Sequence, residues 1–189
     1  MDHHEALDRA GDGFLQHLRA VTPDQWAAPT PCGDWTVHDL AHHLLAGSVM
    51  AVRLAEGGSR EDATAAFELT LDDDDPVGAV SAAFAAEAKA LNDPEVLAAT
   101  LPHPAADLPG AQILGFRVAD RLVHTWDLAT ALGAEPELDE GAASVVWDDL
   151  QPMLPMLGSL GMFGDGPSGD VPDDAPVQTK VLDAMGRRP

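Results

Sequence analysis

The sequence predicts an all-α fold: a bundle of four main helices with additional short helices and a tail rich in proline and glycine. Apolar residues recur at helical spacing in long stretches, and prolines or glycines separate one stretch from the next. The pattern contains no internal repeat and no alternation of strands with helices, so packing of helix on helix is the economical architecture. With 189 residues, 46% of them hydrophobic, the chain is long enough for one domain, 1–189, with a substantial core.

The first two helices are predicted from apolar spacing and from capping residues. An amphipathic pattern covers residues 3–20 and ends before Pro23. A connector rich in proline then leads to the second helix, which is predicted over 37–56. Thr36 stands at the N-cap position of that helix, and Asp39 follows as its capping-box partner.

Three more helices are predicted by the same rules. Asp75 and Pro76 supply an N-cap and a first-turn proline for a third helix that ends near residue 91. The fourth helix is predicted over 111–131 and the fifth over 139–151. The first four predicted helices are long enough to form the main bundle.

Two segments are predicted to be irregular. Residues 94–109 contain several prolines and form a connection, with a short extended segment near 96–101. From Gly164 onward the composition shifts to glycine, proline and aspartate. We expect this tail, 164–189, to pack on the bundle surface, with a last helical turn over 178–185.

The charge of the chain restricts its partners and its location. Lysine and arginine total 10 against 32 aspartates and glutamates, for a formal charge of -22, so nucleic acid and anionic membranes are repelled. The single cysteine cannot form an internal disulfide, and the first residues lack the basic and apolar regions of a signal peptide. The most apolar late stretch, 153–164, is far shorter than the roughly 20 residues of a membrane-spanning helix. The expectation is a cytoplasmic protein.

Two distant stretches of the chain carry groups that bind metal ions. Asp120 and His124 are four residues apart, so on the fourth helix they share one face. The second helix carries His38, His42 and His43, and the last two lie on opposite flanks of its buried stripe, so periodicity does not choose between them. One of these histidines beside Asp120 and His124 would make a set of two imidazoles and a carboxylate with open positions, typical of a catalytic metal site. Hydrated surface histidines are the alternative.

The motifs around these histidines resemble a known family. The segment Pro29–Leu40, followed by His43, resembles the early signature of the mycothiol-dependent maleylpyruvate isomerase N-terminal domain family, within the DinB-like superfamily. The segment His124–Ala129 is similar to the second signature of that family. Three tail segments resemble the ending of a single-domain branch: 163–164, 171–176 and 186–189. The resemblance covers nearly the whole chain and implies a DinB-like four-helix bundle.

The resemblance also implies a ligand set. It places metal ligands on His43, Asp120 and His124, and so selects His43 among the histidines of the second helix. The isomerases resemble this chain but have glutamate where Asp120 stands, so the shorter Asp120 must approach more closely, bind through water, or only orient His124. A salt bridge to Arg117 or Arg121 is the alternative role for Asp120. Zinc is the expected ion and nickel the second choice.

Thiol chemistry at a metal is the function that the resemblance implies. The ion would bind the sulfur of a small-molecule thiol, mycothiol in this family, and hold it beside an electrophilic substrate for S-transfer or isomerase-type chemistry. The two-domain isomerases look longer, with a C-terminal domain that helps to build their site, so thiol transfer or metal-assisted hydrolysis is expected rather than isomerisation of maleylpyruvate. A non-catalytic metal-binding protein and an acidic interaction protein are the alternatives. The sequence leaves the oligomeric state open, a homodimer included.

Three other residues of these motifs are predicted to have packing roles. Cys32 has no histidine tied to it by sequence, and free cysteine is among the residue types most often buried, so we predict a packed connector residue. Trp35 and Trp126 are predicted to pack in the core and at the rim of the site rather than to stack on substrate.

Overall fold

The computed structural model describes residues 1–157 and 166–189. The predicted beginning of the tail at Gly164 lies outside these described residues. Within them the chain is mostly helical, with one small two-stranded sheet, which confirms the all-α prediction. The helices are α1 (His3–Leu18), α2 (Val37–Ala55), α3 (Arg60–Thr64), α4 (Pro76–Ala90), α5 (Pro94–Ala98), α6 (Gly110–Ala131), α7 (Glu140–Leu150), α8 (Leu154–Leu157) and α9 (Val177–Ala184), with 3₁₀ turns at Ala65–Glu68 and Gln151–Met153.

The long helices α1, α2, α4 and α6 form the bundle. α6 packs against α1 and α2, and α4 packs against α2 and α1. One core cluster joins α1, α6, α7 and α9, and a second joins α1, α2 and α4. The apolar stripe of α2 is completely buried from Val37 to Ala51, so this helix can hold only its flanking side chains at a site between helices. The bundle is therefore the DinB-like fold that the sequence predicts.

The predicted helix ends are confirmed where capping residues mark them. Thr36 and Asp39 form the capping box of α2, with each side chain accepting from the backbone N–H of the other. The side chain of Asp75 caps α4 and that of Asp139 caps α7. Gly133 follows α6 with φ +68°, the left-handed conformation that ends helices.

The connection before α6 differs from its prediction. Residues 94–98 are the helix α5, because Asp93 accepts from the N–H of Glu95 and Pro94 takes the first helical position. Extended structure comes later, in strand β1 (Thr100–Pro102), which pairs antiparallel with β2 (Asp107–Pro109). The first residue of α6, Gly110, lies so close to the α5 backbone that a β-carbon would collide with the carbonyl oxygen of Val96.

The described part of the tail lies on the bundle. α9 packs against α7, and its Val181 and Leu182 are completely buried. The helix covers Val177–Ala184, within one residue at each end of the predicted helical segment 178–185. Among the described residues, no helix is both long and apolar enough to cross a membrane.

Candidate metal centre

The structure brings His43, Asp120 and His124 together at the interface of α2 and α6. The Nε2 atom of His43 lies 3.2 Å from Oδ1 of Asp120, although the two residues are 77 positions apart. The Nε2 atom of His124 lies 3.3 Å from the same oxygen. The centroids of the two imidazole rings are 5.0 Å apart. Two imidazoles therefore converge on one carboxylate oxygen.

The other two histidines of α2 point elsewhere. The Nε2 atom of His42 lies 2.5 Å from the backbone carbonyl oxygen of Leu69, and that of His38 lies 3.2 Å from Oδ1 of Asp73. Both contacts lie on the outer side of the helix. The structure thus separates His43 from its neighbours, a choice that helical periodicity alone left open.

The three side chains suit a first-row divalent ion. The donor atoms of His43, Asp120 and His124 all lie within 4.8 Å of one another. Zinc binds such donors at about 2.0–2.2 Å, which places neighbouring donors roughly 3–3.5 Å apart. His124 is buried, whereas His43 and Asp120 are only partly buried, so the donor set faces the surface on one side. Borderline nitrogen donors with one carboxylate fit zinc or nickel.

Asp120 forms the salt bridge to Arg117 and faces the imidazoles at the same time. Nη1 of Arg117 donates to Oδ2 of Asp120 at 2.5 Å, which leaves Oδ1 to the two histidines. Burial alone raises the pKa of Asp120, but the charges of His43, Arg117 and His124 hold that pKa well below its usual value. A negative carboxylate is the form that a cation needs.

Arg117 is held in turn by a buried ionic cluster that the sequence does not predict. Glu87 of α4 is completely buried and accepts from Nε of Arg117 at 2.6 Å, from Oγ of Ser48 at 2.7 Å and from Arg121. The signal in the sequence is the position of Glu87 on the buried stripe of α4, after Val80 and Phe84. A charge on such a stripe requires a partner from a facing helix.

The second ring nitrogen of His124 faces the interior. Its Nδ1 lies 2.8 Å from Oδ2 of Asp127, a completely buried carboxylate one turn further along α6. Arg187 of the tail donates to both oxygens of Asp127, from Nε at 3.1 Å and from Nη2 at 2.6 Å. Burial opposes the charged form of Asp127, but the hydrogen bonds from His124 and Arg187 lower its pKa to about 2. The spacing of His124 and Asp127 could have revealed this pair, whereas no local pattern points to Arg187.

Two carboxylates affect the pKa of His124. Burial alone lowers the pKa of the imidazole, but Asp120 on one ring nitrogen and Asp127 on the other raise that pKa well above its ordinary value. In the absence of a metal ion, the two carboxylates therefore favour the protonated form of His124. A metal ion must displace this proton in order to bind.

Cys32 reaches the same interior side of His124. The connector before α2 doubles back, with the N–H of Thr30 donating to the carbonyl of Trp35 at 2.9 Å. This turn places Sγ of Cys32 3.0 Å from Oδ2 of Asp127 and 3.7 Å from Nδ1 of His124. The partly buried position agrees with a packed connector residue, but the proximity to His124 is not predicted by the sequence pattern.

Cys32, His124 and Asp127 make a second group that could hold a metal ion. The Asp127 oxygen that faces Cys32 and His124 also accepts from the guanidinium of Arg187. An ion placed there would lie within a few ångströms of this positive charge, whereas Arg117 occupies only the opposite oxygen of Asp120. The set with His43 and Asp120 is therefore the better site for a cation.

Aromatic side chains form the rim of the candidate site. The ring of Trp35 is centred 4.8 Å from that of His43 and 6.0 Å from that of His124, and Trp35 is 36% exposed. Phe67, which is 41% exposed, has its ring 6.1 Å from that of His43. Trp126 lies in the core cluster of α1 and α6. The entrance of the site is consequently apolar on a strongly acidic protein.

Comparison with known proteins identifies the family. The family model of the mycothiol maleylpyruvate isomerase N-terminal domain matches residues 7–129, a range that contains all three candidate ligands and Asp127. The chain belongs to this family, as the motifs of its sequence predict. The chain is also 35% identical over 139 residues to the uncharacterized proteins Rv0738 and MT0763 from two strains of Mycobacterium tuberculosis, and the alignment covers 74% of this chain and 72% of each relative. No solved structure matches the chain.

Proposed function

We propose that the protein is a divalent-metal enzyme that uses a small-molecule thiol of the mycothiol type for S-transfer or isomerase-type chemistry. The observation that carries this proposal is the convergence of His43 and His124 on one oxygen of Asp120, at 3.2 and 3.3 Å. Membership in a family named for a mycothiol-dependent isomerase supports the thiol. Zinc is the first choice of ion and nickel the second.

Each residue of the site would have a different role in this chemistry. A bound divalent ion supplies positive charge that favours the thiolate form of a thiol at neutral pH. His43 and His124 would hold the ion through Nε2, and Asp120 would neutralise part of its charge through Oδ1. Trp35 and Phe67 would exclude water from one side of the site. Because Trp35 is 36% exposed, we propose that it also contacts the apolar part of an electrophile, a role beyond the packing that its sequence predicts.

Several broader features belong to the same proposal. The partners would be a small thiol and an electrophilic substrate, since a formal charge of -22 repels nucleic acid and anionic membranes. A cytoplasmic location is consistent with a single cysteine. We also propose that 1–189 is one domain, and we leave a homodimer as a prediction for the oligomeric state.

Metal analysis is the first test of this function. Protein purified without an affinity tag should contain about one zinc or nickel ion per chain. In the cobalt-substituted protein, addition of a thiol should produce a sulfur-to-metal charge-transfer band. Absence of bound metal after incubation with zinc would overturn the proposal and favour an acidic interaction protein.

Turnover is the second test. The wild type should accelerate the reaction of mycothiol with a soft electrophile such as monobromobimane, and His124→Ala should reduce the rate by roughly a hundredfold or more, because the ligand that holds the ion is lost. Cys32→Ser should change the rate little if the thiol comes from the small molecule. An inactive Cys32→Ser variant that still holds its metal would favour a protein-thiol mechanism instead. A metal-loaded wild type that turns over no such pair would favour a metal-binding protein without catalysis.

A further inference from the structure

A chain of contacts connects the back of the candidate metal centre to the C-terminal tail. His124 presents Nε2 to Asp120, and its other nitrogen, Nδ1, lies 2.8 Å from Oδ2 of Asp127. Arg187 then pairs with both oxygens of Asp127. Arg187 of the tail thus contacts Asp127, 60 positions earlier in the sequence, and Asp127 contacts the candidate ligand His124.

We propose that Asp127 and Arg187 are positioning residues for His124: the guanidinium orients the carboxylate, and the carboxylate fixes the imidazole with Nε2 directed at the metal. This inference rests on the proposed metal centre. A neutral imidazole has one donor and one acceptor nitrogen, so donation from Nδ1 to Asp127 leaves the lone pair on Nε2. Carboxylates that accept from a ligating histidine in this way fix its tautomer and ring orientation.

Arg187 is required because Asp127 has no access to water. Its carboxylate is completely buried, and a buried charge without a partner is strongly unfavourable. When an ion is bound, His124 is neutral and cannot balance this charge. Within residues 1–157 and 166–189, Arg187 is the one lysine or arginine that pairs with Asp127, and the bidentate geometry restrains rotation of the carboxylate.

The end of α9 aims Arg187 at the site. Gly186 adopts φ +77°, a left-handed conformation that glycine tolerates, and the N–H of Arg187 then donates to the carbonyl of Leu182 at 2.8 Å. Leu182 is itself completely buried in the core cluster shared with α6. The position of the guanidinium is consequently fixed by the packing of the tail helix on the bundle.

The neighbouring residue provides a matched control. Arg188 also pairs with a buried carboxylate, with Nη1 3.2 Å from Oδ1 of Asp183, but its side chain is half exposed, contacts the backbone carbonyl of Arg187 rather than its guanidinium, and does not pair with Asp127. Removing Arg188 therefore removes a tail salt bridge without touching His124. An effect confined to Arg187 separates positioning of the ligand from general loosening of the tail.

The experiment compares zinc affinity, by competition with a chromophoric chelator, in the full-length wild type and in Asp127→Asn, Arg187→Ala, Arg187→Lys and Arg188→Ala. We expect Asp127→Asn and Arg187→Ala to weaken zinc binding about tenfold or more and to alter the visible spectrum of the cobalt form. Arg187→Lys should recover part of the loss, since a point charge replaces the bidentate fork. Arg188→Ala should leave both readouts unchanged.

Three outcomes decide between the possibilities. Equal zinc affinity in wild type, Asp127→Asn and Arg187→Ala would overturn the inference while the metal centre stands. An equal loss in Arg188→Ala would also overturn it, because a loosened tail would then explain the effect. A wild type that binds no zinc would overturn the proposed function and this inference with it.

A second measurement uses only the wild type, so its result does not depend on whether the substituted proteins fold. Nitrogen NMR of the zinc-loaded wild type, labelled at histidine, reports which ring nitrogen of His124 carries the proton. We expect a protonated Nδ1 and a metal-shifted Nε2. The reverse arrangement would mean that Asp127 does not set the tautomer, and the inference would be wrong.

Discussion

Arg117 lies one turn before Asp120 on α6 and binds only one oxygen of the Asp120 carboxylate, which leaves the other oxygen to the histidines. Nη1 of Arg117 holds Oδ2 at 2.5 Å, while Oδ1 faces the imidazoles of His43 and His124 at 3.2 and 3.3 Å. The carboxylate therefore offers a single oxygen to a cation. Arg117 also fixes its direction, since Glu87 anchors the other side of the guanidinium. Under the proposed function, this support would hold the shorter aspartate in place at the position where the resemblance implies a glutamate in the isomerases.

The first prediction concerns the ligands. His43→Ala and His124→Ala should lose bound metal, and Asp120→Ala should retain a reduced amount, because two imidazoles dominate a borderline-soft site and water can replace a carboxylate. Elemental analysis of the purified variants measures this. His42→Ala is the control, since its ring contacts the carbonyl of Leu69 instead. Full metal retention in His43→Ala together with loss in His42→Ala would refute the assignment.

A second prediction uses two glycines within helices. A β-carbon on Gly47 would lie 2.5 Å from Nη1 of Arg117, whereas one on Gly13 would meet nothing closer than 3.6 Å. Gly13→Ala should therefore be neutral or gain up to about 1 kcal/mol from helix propensity. Gly47→Ala should be less stable and bind zinc more weakly, because it displaces the guanidinium that orients Asp120. Urea unfolding and chelator competition measure the two effects, and equal behaviour of both variants would show that Arg117 has no such role.

The third prediction tests the buried cluster. Glu87→Gln leaves Arg117 and Arg121 with less negative charge in the interior, and removing one partner of a buried ion pair costs about 3–5 kcal/mol. The free energy of unfolding by urea should fall accordingly. Glu5→Gln, which disrupts the exposed pair with Arg9, should change it little because water and salt screen surface charges. Similar losses in the two variants would contradict the importance of burial.

The fourth prediction concerns acid. The pKa of Asp127 is lowered from 3.8 to about 2 in the folded protein, so its ionisation stabilises the fold above about pH 4, and this stabilisation is lost as the pH falls towards 2. The shift corresponds to about 2 kcal/mol. In metal-free protein, the difference in unfolding free energy between wild type and Asp127→Asn should therefore narrow by about this amount on acidification. A difference that does not depend on pH would indicate an ordinary carboxyl group.

The last prediction concerns the aromatic rim. Acetohydroxamate and benzohydroxamate both bind metals through the hydroxamate group, but the first carries a methyl group where the second carries a phenyl ring. The zinc-loaded wild type should prefer benzohydroxamate, because Trp35 and Phe67 lie beside His43 and offer apolar area. Trp35→Ala should reduce this preference and leave acetohydroxamate affinity unchanged, and Met1→Ala, at an exposed residue elsewhere, should leave both unchanged. No preference in the wild type would show that the rim does not contact the ligand.

The part of the site that could be predicted is the part encoded locally. Asp120 and His124 are four residues apart on one helix, and the caps at Thr36 and Asp75 mark where helices begin, so short-range geometry determines these features. The choice of His43 required the family resemblance, because both flanking histidines satisfy the periodicity. Helix α5 was missed because its cap and proline also resemble the end of the preceding helix.

The rest of the site depends on tertiary packing. Glu87 meets the arginines of α6 because α4 packs in the bundle, and Arg187 reaches Asp127 because α9 docks near the same helix. The spacing of α4 indicates that Glu87 needs a partner but does not identify that partner, and no local pattern indicates the contact between Arg187 and Asp127. Cys32 likewise approaches Asp127 through a turn of the connector that a linear pattern does not describe.

Because several basic side chains point inward, the outer surface is more acidic, and this affects the ions in the surrounding solution. Four of the ten basic residues pair with buried carboxylates, so few cations remain to offset the acidic exterior: Arg117, Arg121, Arg187 and Arg188. Such a polyanion is surrounded by an atmosphere of counter-ions in which divalent ions are enriched over bulk solvent. Metal ions would then be drawn towards the protein before any ligand contacts them. The rate of metal capture should consequently fall steeply as ionic strength rises, whereas the rate of metal release, which depends on short-range contacts in the interior, should change less.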